Sequence, residues 1–406
     1  MDIEPDRDHV HAQIHTHPLL FTGSGSEYFR VWIVNVLLGL VTLGFYTPFA
    51  RRRTAQYFYG HTFIAGSPLE FTAQPRKMFF GFLLLVVLYL AFRLAADTGN
   101  DAALSVLMLA GAVLAPYLWG NAMRFRLGST RWRGVRLQFT ARWREVYLAS
   151  WPVFALALVW IGVILAGTWL WPASRGGGLR TAAAPSAAVL GGLGVLALAA
   201  LVLSVLCIIR LSFNYQRLLV LRARIGTQAG RWKPVFADFV RIWLATVGVF
   251  LLATVVIGSV FTAVGMSMGG LAAARKGGLM GVLLIVLFLL GLLLGLVLAT
   301  APARAYREAR MFRLMWSHIG VSQIARFKCR LRTRRYVALR MKNLLLTLLT
   351  LGLYRPFARV SEYTMKVQAM TLHLKGGVDQ LAGQLVQEQG ALGDALADAV
   401  GLDLIG

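Results

Sequence analysis

A chain of 406 residues that is 57% hydrophobic and 15% charged is not built as a soluble protein. Ordinary soluble domains carry about 45–50% apolar and about 25% charged residues, and surface-to-volume scaling leaves too little interior to hide the excess. The net charge of +25 does not describe a nucleic-acid binder, because Lys and Arg lie in short segments between apolar runs and not in one basic domain.

In chain order, residues 1–26 form a polar tail holding His9, His11, His15 and His17 beside Asp6 and Asp8. Spaced histidines admit a weak metal site, but a disordered polar tail accounts for them better, and no metal or other cofactor is expected. No apolar signal-peptide core precedes residue 31, so the first long span would act as the insertion signal. An apolar run covers 31–47 and ends in the basic triplet Arg51, Arg52 and Arg53. Six runs then reach the ~20 residues needed to cross ~30 Å of hydrocarbon: 78–96, 102–120, 146–171, 186–209, 239–264 and 279–302. A Gly-rich link, Gly176 to Gly178, separates the third from the fourth. A last apolar run, 343–354, has only 12 residues. A helix of that length rises ~18 Å, which suits a re-entrant or interfacial segment. Residues 376–406 form an acidic tail in which Leu381, Leu385, Leu392 and Leu396 trace one helical face.

The connections alternate in charge. Segments 48–77, 121–145, 210–238 and 303–335 hold 28 Lys and Arg, whereas 93–101, 172–185 and 266–278 hold 5. Short loops rich in Lys and Arg stay in the cytoplasm, which predicts a multi-pass bacterial inner-membrane protein with its basic loops inside. Two cysteines, Cys207 and Cys329, give neither a disulfide framework nor a metal-knuckle spacing.

The ends of the membrane domain, 27–375, resemble each other. YFRVWIVNVLLGLVTLGFYTPFAR at 28–51 aligns without a gap to YVALRMKNLLLTLLTLGLYRPFAR at 336–359. Homologous ends at 28–73 and 336–377 follow. A second element, Gly60 to Ala73, parallels Gly128 to Ala141, and in the latter Val135, Leu137 and Phe139 alternate with Arg136, Gln138 and Thr140. Period two around a central Gly predicts short β-hairpins at 57–73 and 124–142, with weaker copies at 213–235, 312–328 and 363–377. The expected fold is an all-α membrane bundle of six full transmembrane helices plus two short re-entrant or interfacial helices, with small cytoplasmic β-hairpins.

The stretch EYFRVWIVNVLLGLVTLGFYTPFARRRTAQYFYGHT, with its TLGxYxPFA block, resembles the bacterial inner-membrane family of unknown function typified by YjgN. The likeness covers most of 20–378. It implies a polytopic inner-membrane location and brings no reaction, substrate or catalytic residue.

Candidate chemistry is sparse. All 17 Asp and Glu lie in tails, loops or span ends, which argues against a proton-coupled transporter. No Walker, His-Glu-x-x-His or Gly-x-Ser-x-Gly pattern occurs, so no enzyme is expected. Asn35 and Asn343 stand at equivalent places and read either as paired groups at a pore or lipid site or as interhelical hydrogen-bonding groups. Tyr46 and Tyr354, with Arg51 and Arg359, read as interfacial anchors or as a phosphate-binding set. Arg52, Arg53, Arg131, Trp132 and Arg133 are candidates for lipid headgroups. Glu308 is placed to pair with Arg304 one helical turn away. Three function classes follow: a passive pathway or lipid- and anion-handling module, a scaffold recruiting a cytoplasmic protein partner, and a lipid-headgroup enzyme built on Glu70, Glu145 and His61. Anionic membrane lipids are the expected partners, and the oligomeric state is open.

Overall fold

The structure is a computed structural model and describes residues 14–99, 101–170, 187–226, 228–267, 278–321 and 325–375. The loop around Gly177, the acidic tail, and His9 and His11 lie outside the described residues. The chain divides into two units, one of 1–79, 129–137 and 225–406 and one of 80–128 and 138–224.

In the first unit, Ser24 starts the first helix with a capping box. Its hydroxyl accepts from the Glu27 amide at 3.2 Å, and its own amide donates to the Glu27 carboxylate at 3.3 Å. Helix α1 (Gly25–Val41) then runs through the apolar segment. It stops because the Gly44 amide reaches back to the Gly39 carbonyl at 2.8 Å and the Leu43 amide to Leu40 at 3.1 Å, a Schellman closure. Helix α2 (Thr47–Gly60) follows, with Pro48 in its first turn. The run 31–47 is therefore most of one helix, a tight turn and the first residue of a second helix.

The chain continues with α3 (Pro75–Asp97), α4 (Asp101–Gly128), α5 (Trp143–Ala149), α6 (Trp151–Leu170), α7 (Ala187–Arg222), α8 (Phe236–Ser267), α9 (Gly278–His318), α10 (Thr333–Leu349) and α11 (Arg355–Gln368). Among the described residues four helical segments are long and apolar enough to cross a membrane: Pro75–Asp97, Leu190–Arg222, Phe236–Ala263 and Val286–His318. Helices α5 and α6 make a fifth if they form one span, but they meet at a 42° bend. Among the described residues four or five spans are found, so the expected six are not confirmed. The run 146–171 breaks at Ser150, whose hydroxyl turns back to the Val146 carbonyl at 2.8 Å, just before Pro152 removes a backbone donor. The run 102–120 lies in α4, where several side chains near the start lie outside the described residues.

The fold is also not all-α. Strands β1 (Ile14–Pro18), β2 (Leu20–Phe21), β3 (Thr62–Ile64), β4 (Ser67–Phe71), β5 (Thr130–Trp132), β6 (Val135–Phe139), β7 (Ala223–Ile225), β8 (Gln228–Trp232), β9 (Ile319–Val321), β10 (Ala325–Cys329) and β11 (Met370–Lys375) join one sheet. Their order is β1-β11-β10-β9-β8-β7-β6-β5-β4-β3-β2. The β3–β4 and β5–β6 turns use Ala65-Gly66 and Arg133-Gly134, all four with positive φ, which is the backbone a two-residue hairpin needs. A lone hairpin is marginal in water, and the sheet removes that weakness by pairing each hairpin with the next.

The sheet takes up the N-terminal stretch Ile14 to Phe21. Strand β11 has no following strand among the described residues; β1 pairs with it antiparallel instead, Ile14 opposite Lys375 and Pro18 opposite Thr371. After Leu19, whose amide donates to the Met370 carbonyl at 3.1 Å, β2 pairs with β3. One extended stretch therefore supplies both ends of the strand order. Beneath it lies the core of this unit, where Leu19, Phe21, Tyr28 and Phe58 pack with Leu331, Tyr336, Val360, Val367 and Leu372. The other unit has its own core, Phe139, Ala141 and Val146 against Trp119, Trp143 and Leu218.

Candidate functional site

Except for Glu145, the candidates read from the sequence lie in the first unit, most of them on two helical hairpins, α1–α2 and α10–α11. The turns match atom by atom. Leu43 and Leu351 have φ of 48° and 49°, and Gly44 and Gly352 have 91° and 95°. The Thr42 and Thr350 hydroxyls each donate to a carbonyl four residues back at 2.7 Å and accept from the Tyr46 and Tyr354 amides at 3.0 Å. Gly352 reaches the Thr347 carbonyl at 2.7 Å, as Gly44 reaches Gly39. The motif TLGxYxP thus encodes one closed turn: Thr clamps both sides, Gly takes the left-handed angle, and Pro begins the return helix.

A leucine at positive φ costs roughly 1–2 kcal/mol, which glycine would avoid. Both turns keep leucine there, with 90% and 95% of its surface exposed. Leu40, Val41, Leu349 and Leu353 are exposed around them. The apices are apolar knobs, and water is a poor solvent for them.

Asn35 and Asn343 tie the two legs of each hairpin, though unequally. Asn35 Nδ2 donates to the Ala50 carbonyl at 3.4 Å. Asn343 is 2% exposed, and its Nδ2 faces the Ala358 carbonyl at 3.2 Å, Ser361 Oγ at 3.0 Å and Glu362 Oε1 at 3.0 Å. Glu362 pairs with Arg340 across the same hairpin. This favours the interhelical role for both asparagines. Tyr46 stacks on Phe49, and Tyr354 on Phe357, both at 5.7 Å between ring centres.

The arginines separate by role. Arg359 donates to the Tyr28 hydroxyl at 3.2 Å and lies over the Phe58 ring at 5.4 Å, while Arg51 is exposed. Arg52 donates to the Ala73 carbonyl at 2.9 Å and so latches α2 to the end of β4. Trp132 donates to the Ile64 carbonyl at 3.1 Å and Arg133 to Ser67 Oγ at 2.7 Å, which ties β5 and its turn to the β3–β4 hairpin. Arg131 stands opposite Glu70 in the β4–β5 register. Glu308 of α9 pairs with Lys366 of α11 and not with Arg304.

Sequence reading missed a cleft at the base of the first hairpin. Arg30, Val31 and Val34 of α1 and Arg53, Gln56 and Tyr57 of α2 line about 450 Å³. Tyr57 is fixed by donating to the Ser24 carbonyl at 2.8 Å and to Glu27 at 3.3 Å. Burial, with the Glu27 charge behind it, pushes its hydroxyl up to about 12, so Tyr57 stays neutral. The amide and hydroxyl of Ser24 hold the Glu27 carboxyl below its usual value. The signal that would have exposed the cleft is a difference between the aligned copies: Arg30 and Arg53 face Ala338 and Ser361, and Trp32 and Thr54 face Arg340 and Glu362. Among the described residues no group of three His, Cys, Asp or Glu could hold a metal ion.

A family model described as a bacterial protein of unknown function, DUF898, matches residues 16–399. A protein named inner membrane protein YjgN from Escherichia coli O157:H7 is 28% identical over 144 residues, 36% of this chain and 35% of the relative. Its namesake from Salmonella typhimurium strain LT2 is 27% identical over 145 residues, 36% of each chain. The aligned part spans about a third of these relatives. No solved structure matches.

Proposed function

Because this chain belongs to the DUF898 family, that of the YjgN inner membrane proteins, we propose that it is a non-enzymatic, multi-pass inner-membrane protein that handles anionic lipid in the cytoplasmic leaflet. In this reading the basic connections and the sheet lie on the cytoplasmic side. The hairpins α1–α2 and α10–α11 dip into the leaflet and return.

The observation that carries it is the pair of strained, exposed leucines at the two apices. Their backbone cost is offset if the side chains sit in hydrocarbon, where each buried CH₂ gains about 0.8 kcal/mol. The geometry has the right length. Arg30 to Val41 spans about 16 Å of helix, and half of the hydrocarbon core is about 15 Å. An apex at mid-bilayer therefore leaves Arg30 among the headgroups. The broad exposure of apolar side chains on α3 and α9, from Leu84 and Val87 to Val286, Leu290 and Leu293, supports lipid as their solvent.

The test is an environment-sensitive fluorophore on Leu351→Cys in a variant lacking Cys207 and Cys329, reconstituted into liposomes. Quenching by lipids brominated near mid-chain, with protection from aqueous iodide, is expected. Full iodide access would end the proposal. A C-terminal alkaline phosphatase fusion should be inactive and a fluorescent-protein fusion bright; the reverse pattern inverts the orientation.

A further inference from the structure

We propose that the α1–α2 cleft is a built site for a phosphate-bearing anion, with Arg30 and Arg53 holding the phosphate and Val31 and Val34 flanking an acyl chain. The inference rests on the reading of the hairpin as dipping into the leaflet and names the place where lipid is held.

Four observations converge. The cleft is an open groove of about 450 Å³, with room for a phosphate headgroup. Its two arginines come from opposite legs, Arg30 from α1 and Arg53 from α2, so a ligand between them is gripped from both sides. Among the described residues neither arginine has an acidic partner within ion-pair distance. Guanidinium groups bind phosphate oxygens in forked, charge-assisted pairs. Finally, the second hairpin shows that the frame does not need these charges. On the same turn, with helices of the same lengths of 17 and 14 residues, it carries Ala338 and Ser361 in their places and Lys342 where Val34 forms the apolar wall. Its own added charges, Arg340 and Glu362, satisfy each other.

The other polar groups of the cleft suit an anion. Gln56 offers amide protons, and Tyr57 is fixed and neutral. The apolar residues lie towards the apex, as an acyl chain leaving a headgroup requires, because Val31 and Val34 follow Arg30 along α1.

The test uses the full-length chain in detergent and in nanodiscs. Arg30→Ala with Arg53→Ser installs the residues that the second hairpin already carries, and Arg76→Ala serves as an exposed basic control outside the cleft. Native mass spectrometry titrated with phosphatidylglycerol, and separately with phosphatidylcholine, reads lipid retention; calorimetry with inorganic phosphate reads the free anion. The double variant should lose at least about tenfold in phosphatidylglycerol affinity, since both charge-assisted contacts go, while Arg76→Ala stays within about twofold. Arginine-dependent binding of inorganic phosphate without lipid retention supports the anion site and makes a free phosphate its occupant. Wild-type phosphatidylglycerol and phosphate binding by the double variant overturns the site. So does equal loss in Arg76→Ala, which would leave only diffuse attraction. The apex quenching assay is read on the same variant. A lipid-embedded apex with unchanged binding rejects this site alone, and an aqueous apex rejects the reading beneath it.

Discussion

The α1–α2 and α10–α11 hairpins share a turn and differ in their walls. In the second, Arg340 pairs with Glu362, and Glu362 with Ser361 and the Ala358 carbonyl surrounds the Asn343 amide. In the first, Trp32 and Thr54 stand where the ion pair would be, Asn35 keeps one long hydrogen bond, and two arginines face a cleft without an acid. Turn geometry is a backbone property and tolerates only the few residues that make the closure. Leg-to-leg contacts are side-chain properties and diverge freely once the turn holds. One hairpin has spent its polar groups on itself, and the other has left them facing outward.

The largest expected contrast comes from the ion pair. Glu362→Ala should cost about 2–3 kcal/mol of stability, chiefly because it removes an acceptor from the buried Asn343 and also the partner of the half-exposed Arg340, whereas Thr54→Ala at the matching position should stay within about 0.5 kcal/mol. Chemical denaturation in detergent measures both, and equal losses would erase the distinction between the hairpins. Next, Asn343→Ala should cost about 2 kcal/mol and Asn35→Ala about 1 kcal/mol or less, following the number and length of their bonds. The turns should instead respond alike. Gly44→Ala and Gly352→Ala should each cost about 1 kcal/mol at their positive φ, and unequal losses would show that the two closures are not energetically equivalent. Leu351→Gly should relieve about 1 kcal/mol of backbone strain while weakening retention of the apex in liposomes.

The smallest contrast is in pH. The Glu27 pKa is lowered in the folded chain, first by the Ser24 amide and then by its hydroxyl. Its contribution is therefore present above the ordinary glutamate value of 4.5 and fades as pH falls through the lower folded value. Arg335 occupies the matching position in the second hairpin. A denaturation series between pH 3 and 6 should flatten in Glu27→Gln and keep its slope in Arg335→Gln. An unchanged slope in Glu27→Gln would remove Glu27 from the acid limb.

Much of this was legible in the chain. The aligned 28–51 and 336–359 blocks announced two like turns, and the alternation around Gly66 and Gly134 announced short hairpins. The long apolar runs and their basic flanks pointed to lipid. Other features were hidden because they depend on which elements meet. Period-two alternation locates a strand and says nothing of its neighbour, so the pairing of β11 with β1, some 350 residues away, left no local mark. Glu308 had a cation at helical spacing, and the tertiary packing gave it a different one, Lys366. Hydropathy is likewise blind to the 42° bend between α5 and α6 inside the 146–171 run.

By itself, the sequence determined the solvent, the turns and the local elements, because these follow from apolar area, backbone angles and short-range periodicity. Only the tertiary structure decided which charges neutralise one another and which stay unpaired. Ion pairs form between side chains distant along the chain, and the same arginine is a structural tie beside a carboxylate, carbonyl or hydroxyl and, in the reading proposed above, an anion contact without one. Arg52, Arg340 and Arg359 fall in the first group, and Arg30 and Arg53 in the second.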